Sequence, residues 1–383
     1  MFRKNIRKTI CIIAAVACLT GLSGCALENI AASSWKSSGS SQEEHTGTRE
    51  SSDNASAAEK EDTAAFSGKG SSASDKKDPA KSDLSDNAAE DASVIVYEGD
   101  DIAEPELDIQ EEETGSVKWD DDALNIVFLG DSQFAFGRED GESVVDIVGK
   151  KLKADANIYN LAIGGTSASL QRYDSPDLSV WNEPNFVGMT YILSGKISSS
   201  ILAGHPAVLE QIGVINPAKV DYYVIEYGAN DYINGKDYYN PEDSWDVHTY
   251  AGALEVGIGE LRSISPEAVI VLCGPSYCIW FNGEGTMIGD AYTVSKGIGT
   301  LKNYADTCKN VAENEDLFYI DAMYQTYFDL YLPTVDDYLS DGIHYTPKGR
   351  QIYATVIAHM LDKMNGTTKK ELGYIKFSEF NFW

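Results

Sequence analysis

The sequence predicts a parallel α/β sandwich over residues 118–383. Three observations predict it. Five short, nearly continuous apolar runs recur along this stretch, and helical patterns lie between several of them. Buried parallel strands have this appearance because both of their faces are covered, and strand–helix alternation is the pattern of helices layered on a parallel sheet. Finally, glycine-containing polar blocks follow several of the runs, where open α/β sheets hold ligands beyond the carboxyl ends of strands.

The first run, residues 124–129, reads Leu-Asn-Ile-Val-Phe-Leu. Residues 158–163 and 222–226 are the second and third. Residues 268–273 (Ala-Val-Ile-Val-Leu-Cys) are the clearest, and residues 317–320 are the last. Helices are expected over 142–152, 246–264, 294–312 and 347–364. The third strand's helix stops at Pro266, and the last begins at Pro347 and ends before Gly366, matching the preference for Pro at helix starts and Gly just past their ends. No internal repeat is present.

The chain has 383 residues, with 60 acids against 30 bases and a formal net charge of -30. Phosphate backbones require clustered Lys and Arg, so nucleic acid is excluded as a partner. Charge-driven adhesion to anionic headgroups is excluded for the same reason. No apolar run beyond the N-terminus is long enough for a polytopic membrane protein.

Residues 1–24 read as an address. Arg3, Lys4, Arg7 and Lys8 precede an apolar stretch over residues 10–19, and Leu22-Ser23-Gly24-Cys25 follows. A basic start, a short apolar segment and small residues form a secretory signal. The cysteine straight after Ser-Gly resembles a bacterial lipoprotein signal, which implies a lipidated Cys25 and a two-chain anchor. Residues 25–117 then read as a disordered acidic tether. Between residues 26 and 117 there are 23 acidic and 7 basic side chains and few large apolar ones, too few to offset the entropy of ordering. A flexible chain of this length spans roughly 50–60 Å. The run Val94-Ile95-Val96-Tyr97 is its one candidate strand.

Four polar blocks mark the body: Gly130-Asp131-Ser132, then Asn160 with Gly164-Gly165, then Gly228-Ala229-Asn230-Asp231, and finally Asp341-Gly342-Ile343-His344. Each alone reads as a turn or a helix cap. Together and in this order they resemble the SGNH hydrolases, also called the GDSL esterase/lipase family, over residues 124–361. The resemblance implies a flavodoxin-like three-layer α/β/α sandwich with a five-stranded parallel sheet. It also implies an oxyanion hole made by the Ser132 and Gly165 backbone N–H groups and the Asn230 side-chain amide. The family's usual Leu after Gly-Asp-Ser is replaced here by Gln133, a change beside the serine that bears on substrate preference.

The chemistry is consistent with that resemblance. A serine hydroxyl needs an adjacent base, and His344 has the intrinsic range to serve. Asp341, three residues earlier, is placed to orient the imidazole and stabilise its charged form. A metal site from Asp131, Asp231 and His344 is less favoured, because no zinc-type Cys/His spacing appears and the serine would go unexplained. No cofactor is expected. His205, His248 and His359 read as structural or surface residues.

Of six cysteines, Cys11 and Cys18 fall in the signal and Cys25 at the lipid position. Cys273, Cys278 and Cys308 remain, with Cys273 expected as a buried strand residue. Residues 171–217 form a long insertion carrying Trp181, Phe186 and Tyr191, expected to build a lid, a substrate wall or local core. Trp280-Phe281 is a second aromatic wall candidate, and the apolar end Phe380-Asn381-Phe382-Trp383 suggests docking on the body. The expected function is a lipid-anchored, extracytoplasmic serine esterase removing small O-acyl groups, chiefly acetyl, from cell-wall or extracellular carbohydrate. A lipid-ester hydrolase, an O-acyltransferase using the same residues, and a non-enzymatic glycan-binding lipoprotein are the alternatives.

Overall fold

Residues Leu124–Gly130 are buried along their whole length and form the first strand of the structure, a computed structural model describing residues 122–383. The signal, Cys25, the tether and the Val94–Tyr97 run lie outside the described residues.

The strands are β1 (Leu124–Gly130), β2 (Ala156–Asn160), β3 (Tyr222–Glu226), β4 (Val269–Cys273), β5 (Ile279–Phe281), β6 (Met287–Asp290) and β7 (Phe318–Ile320). Five of them form a parallel sheet in the order β2-β1-β3-β4-β7, and β5 pairs antiparallel with β6 in a separate hairpin. The helices are α1 (Ser132–Ala135), α2 (Val144–Lys151), α3 (Phe186–Leu193), α4 (Pro206–Val214), α5 (Ala229–Ile233), α6 (Tyr250–Ile264), α7 (Leu301–Asn314), α8 (Val335–Tyr338) and α9 (Pro347–Met364). One helical layer contains α2 packed on α9, and the other contains α3, α6 and α7. This is the expected three-layer, flavodoxin-like α/β/α sandwich. The strand order reverses between β1 and β3, and a crevice opens at the carboxyl ends of strands at such a switch.

Local chemistry sets the element boundaries. β2 ends at Asn160, three residues before the expected end, because the Asn160 side chain accepts the Ala162 N–H at 3.1 Å and turns the chain. α2 begins after Ser143, which forms a capping box with Asp146. α6 begins at Tyr250 under a Thr249 cap, so the expected helical residues 246–249 are a turn in which Asp246 accepts the His248 N–H. α7 begins at Leu301, later than expected, behind a Thr300–Asn303 capping box. α9 matches its expected bounds, with Thr346 as cap and Pro347 in the first turn.

Residues 171–217 contain α3 and α4, and Trp181 packs edge-on against Tyr191 with ring centroids 5.3 Å apart. Trp181 is buried, so this pair is local core and not a substrate wall. Cys273, Cys278 and Cys308 are buried free thiols. The C-terminal segment docks on the body: Phe377 packs against Tyr338, Lys151 lies over the Trp383 ring at 3.9 Å, and the Trp383 N–H donates to Gln351 at 3.3 Å.

Candidate active site

α1 is four residues long and is held by one apolar anchor. Phe134 is fully buried, edge-on to Phe128 of β1 and stacked on Tyr353 of α9. Gly130 makes this docking possible: a Cβ there would lie 2.9 Å from the Glu226 carbonyl oxygen and 2.9 Å from the Phe134 ring. The glycine before Asp131-Ser132 therefore lets α1 sit directly over the β1–β3 junction, and Ser132 emerges at the switch point.

The loop carrying His344 is equally constrained. Leu339 and Tyr345 bridge across its base. Asp341 Oδ1 accepts the backbone N–H groups of Ile343 (2.9 Å) and His344 (2.8 Å), and the Ile279 N–H of β5 donates to the Gly342 carbonyl at 2.9 Å. Asp341 Oδ2 lies 2.7 Å from His344 Nδ1, and His344 Nε2 lies 2.9 Å from Ser132 Oγ. Ser132, His344 and Asp341 thus converge in a continuous hydrogen-bonded chain. Partial burial pushes the Asp341 carboxyl up, but bonds from the His344 backbone and ring and from the Ile343 N–H hold it below the ordinary aspartate range.

The three expected oxyanion donors are placed unequally. The glycine pair runs beside the serine, a Cβ at Gly164 falling 3.7 Å from the Ser132 Cβ. Gly165 is exposed with φ +82°, and no atom lies within 4 Å of where its Cβ would be. Backbone conformation, and not crowding, is what calls for glycine there. The Asn230 amide is already engaged, donating to Asp131 Oδ2 at 2.9 Å and to the Thr166 carbonyl at 3.1 Å. To meet a substrate oxyanion it must exchange the Thr166 contact.

Asp131 is fully buried and also accepts the Gln133 N–H at 2.9 Å. Burial pushes its carboxyl up to about 6, opposed by the Gln133 N–H and reinforced by Asp231. Asp231 accepts the N–H groups of Ala168 (2.8 Å) and Ser169 (3.0 Å), so it shapes the loop after Gly165. Both acids have structural partners of their own.

Sequence reasoning missed two residues here, Glu226 and Phe136, and named a third, Gln133, without its contact. Glu226, the last residue of β3, is completely buried and shares a side-chain hydrogen bond with Asp131. Burial, and then the neighbouring Asp131, push its carboxyl well above the ordinary range. Its only sequence signal is an acid closing an apolar strand. Phe136, half exposed, stacks on the His344 ring at 5.5 Å with an interplanar angle of 19°. Gln133 is buried, and its Nε2 donates to the Ile343 carbonyl at 2.7 Å. The other described histidines lie outside this cluster. His248 bridges Asp246 and the Asp174 carbonyl, His205 precedes α4, and His359 sits on α9.

The family model for GDSL-like lipase/acylhydrolase proteins matches residues 126–357. The chain belongs to this family. As a GDSL-like acylhydrolase it is an ester hydrolase by class, and the matched span runs from within β1 into α9. Among solved structures it is similar to a Lactobacillus plantarum protein (16% identity, 63% of this chain and 97% of the other, TM-score 0.44). It is also similar to the aryl esterase of M. smegmatis (16%, 63% and 99%, TM-score 0.39) and to Est24, a carbohydrate acetylesterase from Sinorhizobium meliloti (16%, 63% and 99%, TM-score 0.34). No curated protein matches the chain.

Proposed function

We propose that this acylhydrolase is a serine esterase that removes small O-acyl groups, chiefly acetyl, from cell-wall or extracellular carbohydrate. The observation that carries the proposal is the 2.9 Å contact between Ser132 Oγ and His344 Nε2, continued at 2.7 Å to Asp341.

Ser132 Oγ attacks the ester carbonyl while His344 Nε2 takes its proton. The resulting oxyanion is met by the Ser132 and Gly165 N–H groups and by the Asn230 amide once it releases Thr166. Collapse expels the sugar alcohol, which leaves with the proton held by His344, and an acyl-serine remains. Water, deprotonated by the same imidazole, then releases acetate and restores the serine. Asp341 stays a carboxylate throughout. Its side chain is about half exposed, where an ion pair contributes only about 0–1 kcal/mol, so its main work is fixing the tautomer and direction of the ring.

Two exposed aromatics support a ring-bearing alcohol. Phe136 lies on His344, and the half-exposed Phe281 lies against Gly342, where a Cβ would come within 2.7 Å of its ring. Half-exposed rings beside the 341–344 loop suit a sugar better than a long alkyl chain, which needs a continuous apolar tunnel. A carbohydrate substrate also suits delivery from the membrane by the proposed Cys25 anchor and acidic tether. The test is a panel of acetylated polysaccharides alongside glycerol esters of increasing acyl length. Acetate release from polysaccharide, with rates falling as the acyl chain grows, is expected. Preference for long-chain glycerides without acetate release would overturn the substrate assignment.

A further inference from the structure

The 340–344 loop is fastened mostly by its own neighbours. Asp341 holds the Ile343 and His344 N–H groups, Ser340 donates to the His344 carbonyl through its backbone N–H (2.8 Å) and its hydroxyl (3.1 Å), and Ile279 holds the Gly342 carbonyl. Four of these bonds fix the loop's internal shape, and the Ile279 bond ties it to β5. None of them fixes its distance from the serine, which stands on a different element 212 residues away in sequence.

Among the described residues, one hydrogen bond besides Ser132–His344 itself joins α1 to this loop: Gln133 Nε2 to the Ile343 carbonyl, at 2.7 Å. Gln133 follows the nucleophile position and Ile343 precedes the histidine, so the bond joins the peptides adjacent to the two reacting groups. Gln133 is 3% exposed and its backbone N–H is held by Asp131, so the residue carrying the donor is anchored in α1. Proton transfer needs a heavy-atom separation of roughly 2.6–3.2 Å, and small displacements of reacting groups are costly. The geometry points to Gln133 as a positioning residue that sets the Ser132–His344 separation. It is not the substrate-specificity residue that its place beside the serine suggests.

The inference rests on Ser132 and His344 acting as nucleophile and base. Its test compares Gln133→Leu and Gln133→Glu with wild type on a soluble acetyl ester, using Ser132→Ala as control. Leu fills a similar buried volume without a donor. Loss of one buried hydrogen bond at this register is expected to lower kcat about tenfold with KM nearly unchanged. In Gln133→Glu a protonated carboxyl can still donate to the Ile343 carbonyl, whereas an ionised one repels it. That variant should therefore hold near-wild-type kcat at acid pH and lose it as pH rises while remaining folded by circular dichroism, a limb that wild type lacks. If Gln133→Leu fails to fold, the Gln133→Glu pH profile decides. Wild-type kcat in the Leu variant, a raised KM alone, or a wild-type pH profile in the Glu variant would overturn the inference. Full activity in Ser132→Ala would instead overturn the underlying mechanism.

Discussion

The Asn230 side-chain amide donates to Asp131 Oδ2 at 2.9 Å, joining α5 to the residue before Ser132 across 99 residues of sequence. Asp131 also accepts the Gln133 N–H, so one buried carboxylate orients both the proposed oxyanion donor and the helix that carries Ser132. The Asp of Gly-Asp-Ser is the hub of the site's support.

That hub should leave a titration signature. Asp131 has its value raised from 3.8 to about 6, so the folded chain holds this proton more tightly than the unfolded one. Its contribution to stability is full below about 3.8 and is lost as pH rises through about 6. Urea unfolding of wild type and Asp131→Asn from pH 4 to 7 should show wild type losing stability relative to the variant as pH rises. A difference that is flat, or that has the opposite slope, would contradict the account of Asp131.

Phe136 and Phe281 should affect substrate binding more than folding. Both are about half exposed, and truncation of such side chains away from the core usually costs within about 0.5 kcal/mol. Phe136→Ala and Phe281→Ala are expected to raise KM several-fold for an acetylated sugar while changing it little for ethyl acetate. Steady-state kinetics on the two esters checks this, and equal effects on both would remove the stacking role.

Gly130→Ala should damage the site from beneath. The new methyl must displace either the Glu226 carbonyl or the Phe134 ring, both 2.9 Å from its position. Overpacking of this kind costs about 1–3 kcal/mol, and the relief available is movement of α1 with Ser132 on it. Thermal unfolding should drop and kcat should fall together. A variant with unchanged melting and turnover would show that this contact is slack.

Much of this was legible in sequence, for identifiable reasons. Buried parallel strands leave uninterrupted apolar runs, so β1, β3 and β4 were found within a residue or so of their ends. Ser132, Asn230 and the Asp341–His344 block stand just past strands or before a capped helix, where position itself carries information. The β5–β6 hairpin was not found, because β5 is only three residues long and carries no readable alternation. The Gln133–Ile343 bond spans 210 residues and has no periodic signature. Helix starts at α6 and α7 were placed early because apolar periodicity continues through the turns before the Thr249 and Thr300 caps. Phe136 gave no signal either, since an exposed aromatic after a four-residue helix becomes meaningful only with His344 beneath it.

The most direct measurement is turnover of a chromogenic acetate ester by wild type and Ser132→Ala, combined with peptide mapping after treatment with a fluorophosphonate. The account predicts a wild-type adduct on Ser132 that abolishes turnover, and a folded Ser132→Ala protein that takes up no label and hydrolyses the ester at a small residual rate. Undiminished hydrolysis by Ser132→Ala, or labelling at another residue accompanied by loss of activity, would contradict it.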